Sequence, residues 1–291
     1  MVARAESVCL IVNPFSQRMR VSLQGDLGGI SMRGARLCYT TAPGHAADLA
    51  QQAVEEGFER IVAGGGDGTV NEVVSGIVRS DFASRVILGV LPLGTMNVFA
   101  LEMGIPRDLE TAWHIARFGG VRTNDLPMAN GRPFLQLAGI GYDGDIVAAV
   151  TSPAKARWGA MAYLMAAMRV GSRPLPRFEV ELEGEGVREA EWVLVGNGRF
   201  YGGPIPVFRG AAVDDGLLDV VVVKRVTPFV SAAAVAGVMA GRLDAVPGVE
   251  CFRGRRVAVR GPVAAEIDGE YVGHGDMTLD VGRQTLRVAC V

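Results

Sequence analysis

The stretch that decides the fold reads Ile61-Val62-Ala63-Gly64-Gly65-Gly66-Asp67-Gly68-Thr69-Val70-Asn71-Glu72. It passes from a short apolar run through three glycines into a pattern typical of a helix. A strand, a glycine turn and a helix start present backbone N–H groups to a phosphate, and glycines leave no side chain between the backbone and the ligand. The carboxylate of Asp67 makes sense beside such an anion site if a cation or a developing proton also lies there. We therefore predict a phosphate-binding loop.

This loop differs from the two best-known glycine-rich phosphate motifs. No GK[ST] follows, as it would in a Walker loop, and the third glycine has the wrong offset for the dinucleotide GxGxxG pattern. A tight turn without a ligand is the alternative, and the Asp-Gly-Thr sequence favours binding.

The first 125 residues alternate strand and helix patterns around this loop. Strands are predicted at 8–12, 35–40, 60–63 and 86–91, and helices at 45–56 and 69–78. Such alternation is typical of a parallel sheet with helical crossovers, in which ligands bind beyond the carboxyl ends of the strands. The loops that follow these strands are therefore expected at one edge of the sheet.

Short β-like runs dominate after residue 125, and glycine and proline separate them. We predict these strands at 134–137, 178–182, 192–196, 218–223, 256–260, 264–267, 278–281 and 285–289. Helical insertions are predicted at 154–170 and 227–241. The pattern is typical of an antiparallel sandwich. We place the domains at 1–125 and 126–291, with the last strand as a candidate to return to the first domain.

The composition is that of a folded protein without a strong electric field. Of 291 residues, 49% are hydrophobic and 21% are charged, and the net charge of −2 gives no strong field that would favour a nucleic acid or an anionic membrane. We expect no nucleic-acid partner. The four cysteines lack CxxC or zinc-type spacing, which is typical of reduced thiols in the cytosol. We expect no signal peptide. The longest apolar stretch, at 228–240, is shorter than the ~20 residues that cross a bilayer, so it could touch a membrane but not cross it.

Two further loops at strand ends offer polar side chains. After the fourth strand, Gly94 frees the backbone, and Thr95 and Asn97 offer hydrogen bonds. Helix capping is the alternative there, and the glycine loop one βα unit earlier favours binding. After the second strand, Thr40 could contact a nucleotide, or its loop could only cap the next helix. His45 is expected to be a structural or capping residue.

Two acidic turns lie in the second half of the chain. Residues 214–219 hold three aspartates around a glycine, and they could bind Mg²⁺ together with a backbone carbonyl or form an ordinary acidic turn. Asp268 and Glu270 flank Gly269. One of these two acids could accept a proton from a substrate hydroxyl, and a plain hairpin turn is the alternative.

The order of these segments resembles the catalytic domain of diacylglycerol kinases. The segments are GGGDGTVNEVVSG at 64–76, LPLGTMN at 91–97, GIGYDG at 139–144, GNGRFYGGP at 196–204, DDGLLDVVVV at 214–223 and IDGE at 267–270. They resemble soluble bacterial lipid kinases in particular, and more distantly sphingosine and ceramide kinases. The resemblance covers nearly the whole chain. It implies an N-terminal α/β nucleotide domain related to phosphofructokinases and NAD kinases, and a C-terminal antiparallel β-sandwich that faces the lipid.

The resemblance also implies an activity. Members transfer the γ-phosphoryl group of ATP to a hydroxyl of diacylglycerol or a related lipid, and they use Mg²⁺. A cytoplasmic protein that works peripherally at the inner membrane surface is expected, and a homodimer is an open expectation.

The resemblance assigns roles to residues that match the family motifs. The implied nucleotide-binding residues are Asn13, Arg18, Thr40, Gly64, Gly65, Gly66, Asp67, Gly68, Thr69, Asn71 and Thr95. Arg18, with Lys155 or Arg157, would neutralise phosphate charge. The implied metal ligands are Asp214, Asp215 and the carbonyl of Leu217. The implied catalytic residues are Asp67, Asp268 and Glu270, of which either Asp268 or Glu270 is the proton acceptor.

The chain departs from the family pattern after Asn97. Many members continue with Asp-Phe-Ala-Arg, whereas this chain has Val98 and Leu101 in place of the acid and the arginine. We expect Asp125 to lose the arginine partner that it has in the family. Two alternatives stay open: a kinase of a soluble nucleotide-like substrate, as in NAD kinases, and a non-catalytic nucleotide- or lipid-binding regulator. The third glycine, the segment at 91–97 and the IDGE turn favour the lipid branch over the NAD kinases.

Overall fold

The computed structural model of the protein describes residues 8–19, 34–151 and 158–291. The chain divides into two compact units. Unit 1 comprises residues 1–126 and 284–291, and unit 2 comprises residues 127–283. The candidates Lys155 and Arg157 lie outside the described residues.

Unit 1 is built on a six-stranded sheet with the strand order β2-β1-β3-β4-β20-β5. Its strands are β1 Val8–Val12, β2 Ala35–Tyr39, β3 Arg60–Gly65, β4 Ile87–Pro92, β5 Gly120–Asp125 and β20 Thr285–Cys290. All neighbouring pairs are parallel except β20 and β5. The central strands β1, β3 and β4 are almost fully buried, as their continuous apolar runs predict. The α/β fold is therefore confirmed.

Helices connect the strands of unit 1. They are α1 His45–Glu55, α2 Asp67–Val78, α3 Val98–Glu102 and α4 Leu109–Phe118. The first two pack closely, since a Cβ on Gly76 of α2 would lie 2.0 Å from the carbonyl oxygen of Ala47 of α1. The carboxylate of Asp108 caps α4 by accepting a hydrogen bond from the N–H of Thr111 at 2.8 Å. The sequence patterns predicted α1 and α2 but missed α3, α4 and β5.

Unit 2 contains two six-stranded antiparallel sheets, with strand orders β10-β9-β16-β19-β6-β7 and β15-β14-β11-β8-β17-β18, and a separate pair β12-β13. The strands are β6 Met128–Ala129, β7 Arg132–Pro133, β8 Leu137–Gly141, β9 Phe178–Leu182, β10 Gly186–Ala190, β11 Trp192–Gly196, β12 Phe200–Tyr201, β13 Ile205–Pro206, β14 Leu218–Val223, β15 Val249–Gly254, β16 Arg256–Arg260, β17 Ala264–Ile267, β18 Glu270–His274 and β19 Met277–Asp280. One apolar core draws on both sheets, and Ile140, Val180, Val220 and Leu279 are among its buried members. The predicted sandwich is confirmed.

Three helices of unit 2 are described: α5 Tyr142–Ala149, α6 Ala160–Gly171 and α7 Pro228–Ala240. The side chain of Thr227 caps α7 by accepting a hydrogen bond from the N–H of Val230 at 3.1 Å, and Gly241 ends it with φ 70°. The sequence patterns missed α5. No helix among the described residues has the length and apolar character needed to cross a membrane.

Candidate active site

The three glycines of unit 1 lie where β3 ends, and α2 begins directly after them. A Cβ on Gly65 would lie 2.3 Å from Oγ1 of Thr69, and a Cβ on Gly94 would lie 2.4 Å from the Cα of Gly66. The two loops therefore touch backbone to backbone, and only glycine fits at these contacts. Backbone N–H groups and the helix dipole at the start of α2 favour an anion there.

Asn13 joins the end of β1 to this loop. Its backbone N–H donates to the carbonyl of Gly64 at 2.9 Å, and its Nδ2 lies 3.4 Å from Oγ1 of Thr69 as a donor. The N–H of the buried Thr40 donates to the carbonyl of Val12 at 2.9 Å. The predicted residues Asn13, Thr40 and Thr69 are thus brought to the same edge of the sheet as the glycine loop.

The carboxylate of Asp67 faces the start of the short helix α3. Its Oδ1 accepts a hydrogen bond from the N–H of Phe99 at 3.1 Å. Burial raises the pKa of Asp67, and hydrogen bonds from backbone N–H groups, that of Phe99 foremost, oppose the rise. Asp67 therefore fastens the segment after Asn97 to the glycine loop, a structural role that the motif alone did not predict.

The loop after β4 is held by its own side chains. Asn97 adopts a left-handed conformation with φ 53°, and its amide exchanges two hydrogen bonds of 2.8 Å with the N–H and the carbonyl of Gly94. The hydroxyl of the exposed Thr95 donates to Oε1 of Gln17 at 2.7 Å. Asn97 thus shapes the loop, while Thr95 is exposed on it.

Two arginines lie beside this loop. Nη2 of Arg107 donates to the carbonyl of Thr95 at 2.9 Å, and Nη1 of Arg18 donates to the carbonyl of Arg107 at 2.5 Å. Arg18 was a sequence-based candidate, whereas Arg107 carries no motif signal and was missed. Guanidinium groups at this position suit phosphate oxygens.

Three more residues lie close to the loop. Two of them accept hydrogen bonds from backbone N–H groups near the start of α1, and the third is buried. Oε2 of Glu72 accepts a hydrogen bond from the N–H of Ala46 at 3.2 Å, and Nδ1 of His45 accepts one from the N–H of Thr41 at 3.1 Å. His45 therefore has the structural one of its two predicted roles: it holds the loop before α1, a helix that has no side-chain cap. Asn71 is 7% exposed, and its Nδ2 has no hydrogen-bond partner among the described residues.

In unit 2, Asp268 lies at the turn between β17 and β18 with φ 50°. Its carboxylate accepts three backbone hydrogen bonds, from the N–H groups of Leu135 at 2.8 Å, Gln136 at 2.9 Å and Leu137 at 3.0 Å. This engagement explains why the strand predicted at 134–137 begins only at Leu137. A carboxylate held by three N–H groups suits a structural latch better than a proton acceptor.

Glu270 lies two residues further, and its side chain is 46% exposed. Its Oε2 accepts a hydrogen bond from Nη2 of Arg132 at 2.6 Å, which forms an ion pair at the surface. An exposed carboxylate is free to exchange its partner for a substrate hydroxyl. The contacts of the two acids therefore differ: three backbone N–H groups hold Asp268, whereas Glu270 is exposed and has a surface arginine as its partner.

A buried acidic cluster supports this turn, and sequence reasoning did not identify it. Asp143 and Glu266 are 0% and 1% exposed, and the hydroxyl of Tyr201 donates to Oδ1 of Asp143. Oδ2 of Asp143 and Oε1 of Glu266 both face Gly139, where a Cβ would lie 1.9 Å from the first and 2.7 Å from the second. The other oxygen of Glu266, Oε2, accepts the N–H of Gly269 at 2.6 Å.

Burial in this cluster raises the pKa values of both Asp143 and Glu266. The neighbouring carboxyl group raises the pKa of Glu266 further, because two like charges cannot both be buried cheaply. One proton shared between the two carboxyl groups would satisfy the two oxygens that face Gly139, which have no other hydrogen-bond partner among the described residues.

The acidic turn at 214–219 is closed by an arginine. The carboxylate of Asp215 accepts hydrogen bonds from the N–H of Leu217 at 3.0 Å and from the guanidinium of Arg253. Nε of Arg253 also lies 3.2 Å from Oδ1 of Asp219. Arg253 therefore neutralises both aspartates, as expected for the acidic-turn alternative.

Two family models match the chain, and together they cover both units. The diacylglycerol kinase catalytic domain matches residues 7–129, and the YegS C-terminal NAD kinase beta sandwich-like domain matches residues 137–290. The chain belongs to the YegS-like diacylglycerol kinase family.

Named members of this family are found among bacteria. The chain is 33% identical over 242 residues to "Diacylglycerol kinase" of Bacillus subtilis strain 168, covering 80% of this chain and 78% of that protein. It is 35% identical over 185 residues to "Probable lipid kinase YegS-like" of Enterobacter sp. strain 638. That match covers 62% of this chain and 61% of the relative, so it spans less than two thirds of the relative's length.

A solved structure shares the fold. It is described as a diacylglycerol kinase from Bacillus anthracis str. Sterne, with a TM-score of 0.75 at 24% identity, and the match covers 100% of this chain and 99% of that chain. At this identity, the likeness establishes the fold alone.

Of the two residues that depart from the family pattern, one is buried and the other is exposed. Val98 is 9% exposed at the start of α3, and Leu101 is 40% exposed. Asp125 ends β5 and has an interaction partner, although the arginine of the family pattern is missing.

The predicted magnesium ligands combine the carboxylates of Asp214 and Asp215 with the backbone carbonyl of Leu217. No group of three His, Cys, Asp or Glu side chains with metal-binding geometry occurs in the described ranges. Asp67 is engaged by α3, and Asp215 by Arg253. The assignment of Asp214, Asp215 and Leu217 as metal ligands stays a prediction.

Proposed function

We propose that the protein is an ATP-dependent lipid kinase that transfers the γ-phosphoryl group to a hydroxyl of diacylglycerol or a related lipid. The observation that carries the proposal is the backbone contact between Gly66 and Gly94 at the start of α2, in a chain that belongs to the diacylglycerol kinase family. That contact builds a phosphate cradle without side chains. Phosphoryl transfer depends mainly on such positioning and on charge neutralisation.

Unit 1 would bind the nucleotide. In this proposal the N–H groups at Gly66, Asp67 and Gly68 face the phosphates, and Asn13 orients Thr69 through the contact between Nδ2 and Oγ1. Arg18 and Arg107 neutralise phosphate charge, because both guanidinium groups lie beside the Thr95 loop.

Unit 2 would act on the acceptor lipid. Glu270 takes the proton of the lipid hydroxyl as the oxygen attacks phosphorus, and Arg132 releases the carboxylate for this purpose. Asp268 keeps the turn in place through its three backbone hydrogen bonds. The buried Glu266 holds the N–H of Gly269 from the other side of the turn.

Magnesium would enter as part of the substrate, the MgATP complex. Mg²⁺ at such sites is held largely by phosphate oxygens and water with one or two carboxylates, and it neutralises charge on the transferred group. We further propose that the protein works in the cytoplasm, peripherally at the inner membrane surface where its substrate resides. A homodimer stays a prediction.

An acceptor panel tests the proposal. Purified protein is incubated with γ-labelled ATP, Mg²⁺ and, separately, diacylglycerol, monoacylglycerol, a sphingoid base, phosphatidylglycerol and NAD. We expect label in a lipid product, with diacylglycerol or a close relative as the best acceptor. Label in NAD alone would support the NAD kinase alternative. Tight ATP binding without any labelled acceptor would support the non-catalytic regulator.

A further inference from the structure

Helix α7 of unit 2 turns its large apolar side chains towards solvent. Phe229 is 74% exposed, Val235 66% and Met239 73%, and they recur at a spacing that places them on one side of the helix. The face towards the protein carries small residues instead, with Ala234 and Gly237 buried. A Cβ on Gly237 would lie 2.7 Å from Cγ2 of Val246, so this inner face is closely packed.

The exposed face is not explained by folding. A helix that packs on a protein core normally buries its bulky apolar residues and exposes its charges. The thirteen residues of α7 contain no charged residue at all. Three large apolar side chains grouped on one exposed face indicate a binding surface rather than the scattered exposure of ordinary proteins.

Cations lie at both ends of this helix. Lys224 and Arg225 precede it and Arg242 follows it, all three are exposed, and no acid occurs between residues 224 and 242. Nη2 of Arg209 donates to the carbonyls of Val238 and Met239 at 3.3 and 3.2 Å, which adds a cation at the C-terminal end. Among the nearby acids, Glu250 is paired with Lys224, Asp219 is paired with Arg253, and Glu191 accepts the N–H of Val226, while Asp244 is exposed.

We propose that α7 is the docking helix of this protein for an anionic lipid bilayer, an inference that rests on the proposed lipid kinase function. At a rise of about 1.5 Å per residue the helix is ~20 Å long, too short to span the hydrocarbon layer and suited to lying in its surface. Its apolar face enters the boundary between headgroups and acyl chains, while the flanking cations contact anionic headgroups.

The charges favour a bilayer over a second copy of this chain. A twofold contact would lay the α7 face of one copy on the same face of the other. A parallel arrangement would place Arg225 against Arg225, and an antiparallel arrangement would place Arg225 against Arg242. Either arrangement brings cations together, whereas an anionic membrane surface attracts all of them.

Vesicle sedimentation tests the inference without requiring catalysis. The full chain is mixed with phosphatidylcholine vesicles that contain or lack phosphatidylglycerol. We expect wild-type protein to bind the anionic vesicles, and the triple variant Phe229→Gln, Val235→Gln, Met239→Gln to bind them at least about tenfold more weakly. Glutamine is a good helix former, so α7 itself should persist.

A matched control replaces exposed apolar side chains elsewhere. Phe82, Phe118 and Val187 are 47%, 57% and 57% exposed and lie outside α7. The triple variant with glutamine at these positions should bind vesicles like wild type. Changing Arg225 and Arg242 to glutamine should weaken binding to anionic vesicles by about fivefold per arginine and leave binding to neutral vesicles unchanged.

An activity assay separates this inference from the proposed kinase function. A short-chain diacylglycerol below its micelle concentration needs no membrane docking, so the α7 variant should phosphorylate it at the wild-type rate and lose activity only on vesicle substrate. Failure of every variant and of wild type on both substrates would remove the kinase proposal, while the sedimentation result still decides the docking surface.

Four results would overturn the docking helix. The first is vesicle binding by the α7 variant that equals wild type, and the second is no vesicle binding by wild type. The third is a wild-type dimer in light scattering that becomes a monomer in the α7 variant, with vesicle binding intact, which would assign α7 to self-association. The fourth is capture of a soluble protein by wild type in place of vesicles, which would assign α7 to a protein partner.

Discussion

The glycine loop of unit 1 and the turn at 267–270 of unit 2 are built differently, the first from backbone and the second from carboxyl groups. Around Gly65, Gly66 and Gly94 the backbone itself forms the surface, and side chains are excluded by contacts as short as 2.3 to 2.4 Å for an added Cβ. Around Asp268 and Glu270, carboxyl groups determine the geometry, through three backbone hydrogen bonds to Asp268 and a buried partner in Glu266.

Because of this difference, the two regions should be sensitive to different changes, steric change in the first and pH in the second. A surface made of backbone is harmed mainly by steric change, and the carboxylate of Asp67 is the titrating group beside it. A turn held by carboxyl groups tolerates some steric change and responds to protons, because burying a second negative charge is costly. The following variants test this contrast, from the largest expected effect to the smallest.

Glu270→Gln should have the largest effect, on turnover. Removing the proton acceptor should lower kcat by about 10²-fold or more, measured with labelled ATP and diacylglycerol. Because the ion pair with Arg132 is exposed, the free energy of unfolding should change by less than about 1 kcal/mol. Glu189→Gln, which removes another exposed glutamate paired with an arginine, is the control and should keep wild-type turnover.

Gly94→Ala should damage the backbone cradle. The new Cβ would meet the Cα of Gly66 at 2.4 Å and Oδ1 of Asn97 at 2.9 Å, so the loops must separate. We expect a loss of about 1–3 kcal/mol in urea unfolding and a clear loss of ATP affinity. Gly254→Ala, where no atom lies within 4 Å of the added Cβ, should leave both unchanged. Normal ATP affinity in Gly94→Ala would place the nucleotide elsewhere.

Glu266→Gln should change the pH dependence of stability. Burial raises the pKa values of Asp143 and Glu266 in the folded protein, so above about pH 4 the folded state holds more protons than the unfolded state. The free energy of unfolding therefore falls as pH rises through this window, by up to about 1.4 kcal/mol per pH unit for each proton. Glutamine mimics the protonated acid and should flatten this fall.

Urea titrations from mildly acidic to mildly alkaline pH measure this slope. Asp143→Asn removes the other carboxyl group and should flatten the slope in the same way. Equal slopes in wild type and both variants would show that the two acids do not share a proton.

Two substitutions divide the roles of Asp67, and their effect on stability should be smaller than that of Gly94→Ala. Asp67→Ala removes the acceptor for the N–H of Phe99 and should cost about 0.5–2 kcal/mol in unfolding experiments. Asp67→Asn keeps an oxygen acceptor and should retain most of that stability. If Asp67→Asn nevertheless loses turnover, the negative charge itself serves the reaction. Full turnover would reduce Asp67 to its structural role.

Much of the fold was predictable because its signals are local. Buried parallel strands appear as continuous apolar runs, as in β1 and β3, and the loop 64–69 follows from glycine's lack of a side chain. Short elements were missed for the same reason: the five residues of α3 are too few to show a helical period. The hydrogen bond between Asp67 and the start of α3 was missed because it is a tertiary contact, which leaves no local sequence pattern.

The sequence motifs named candidate site residues, but they did not show the contacts that divide the roles of these residues. Sequence motifs named Asp268 and Glu270 as equals, and only the contacts of Asp268 with Leu135, Gln136 and Leu137 separate a latch from an exposed acid. The pairing of Asp143 with Glu266 joins residues far apart in the chain. Such long-range contacts leave no periodic pattern to find.

The ATP affinity of Glu270→Gln, measured by calorimetry beside wild type, tests the central claim most directly. The claim is that unit 1 binds the nucleotide through its backbone and that Glu270 of unit 2 serves the lipid hydroxyl. We predict that the variant binds ATP as wild type does while its lipid turnover is lost. A fall in ATP affinity that accounts for the lost turnover, or full turnover in the variant, would contradict it.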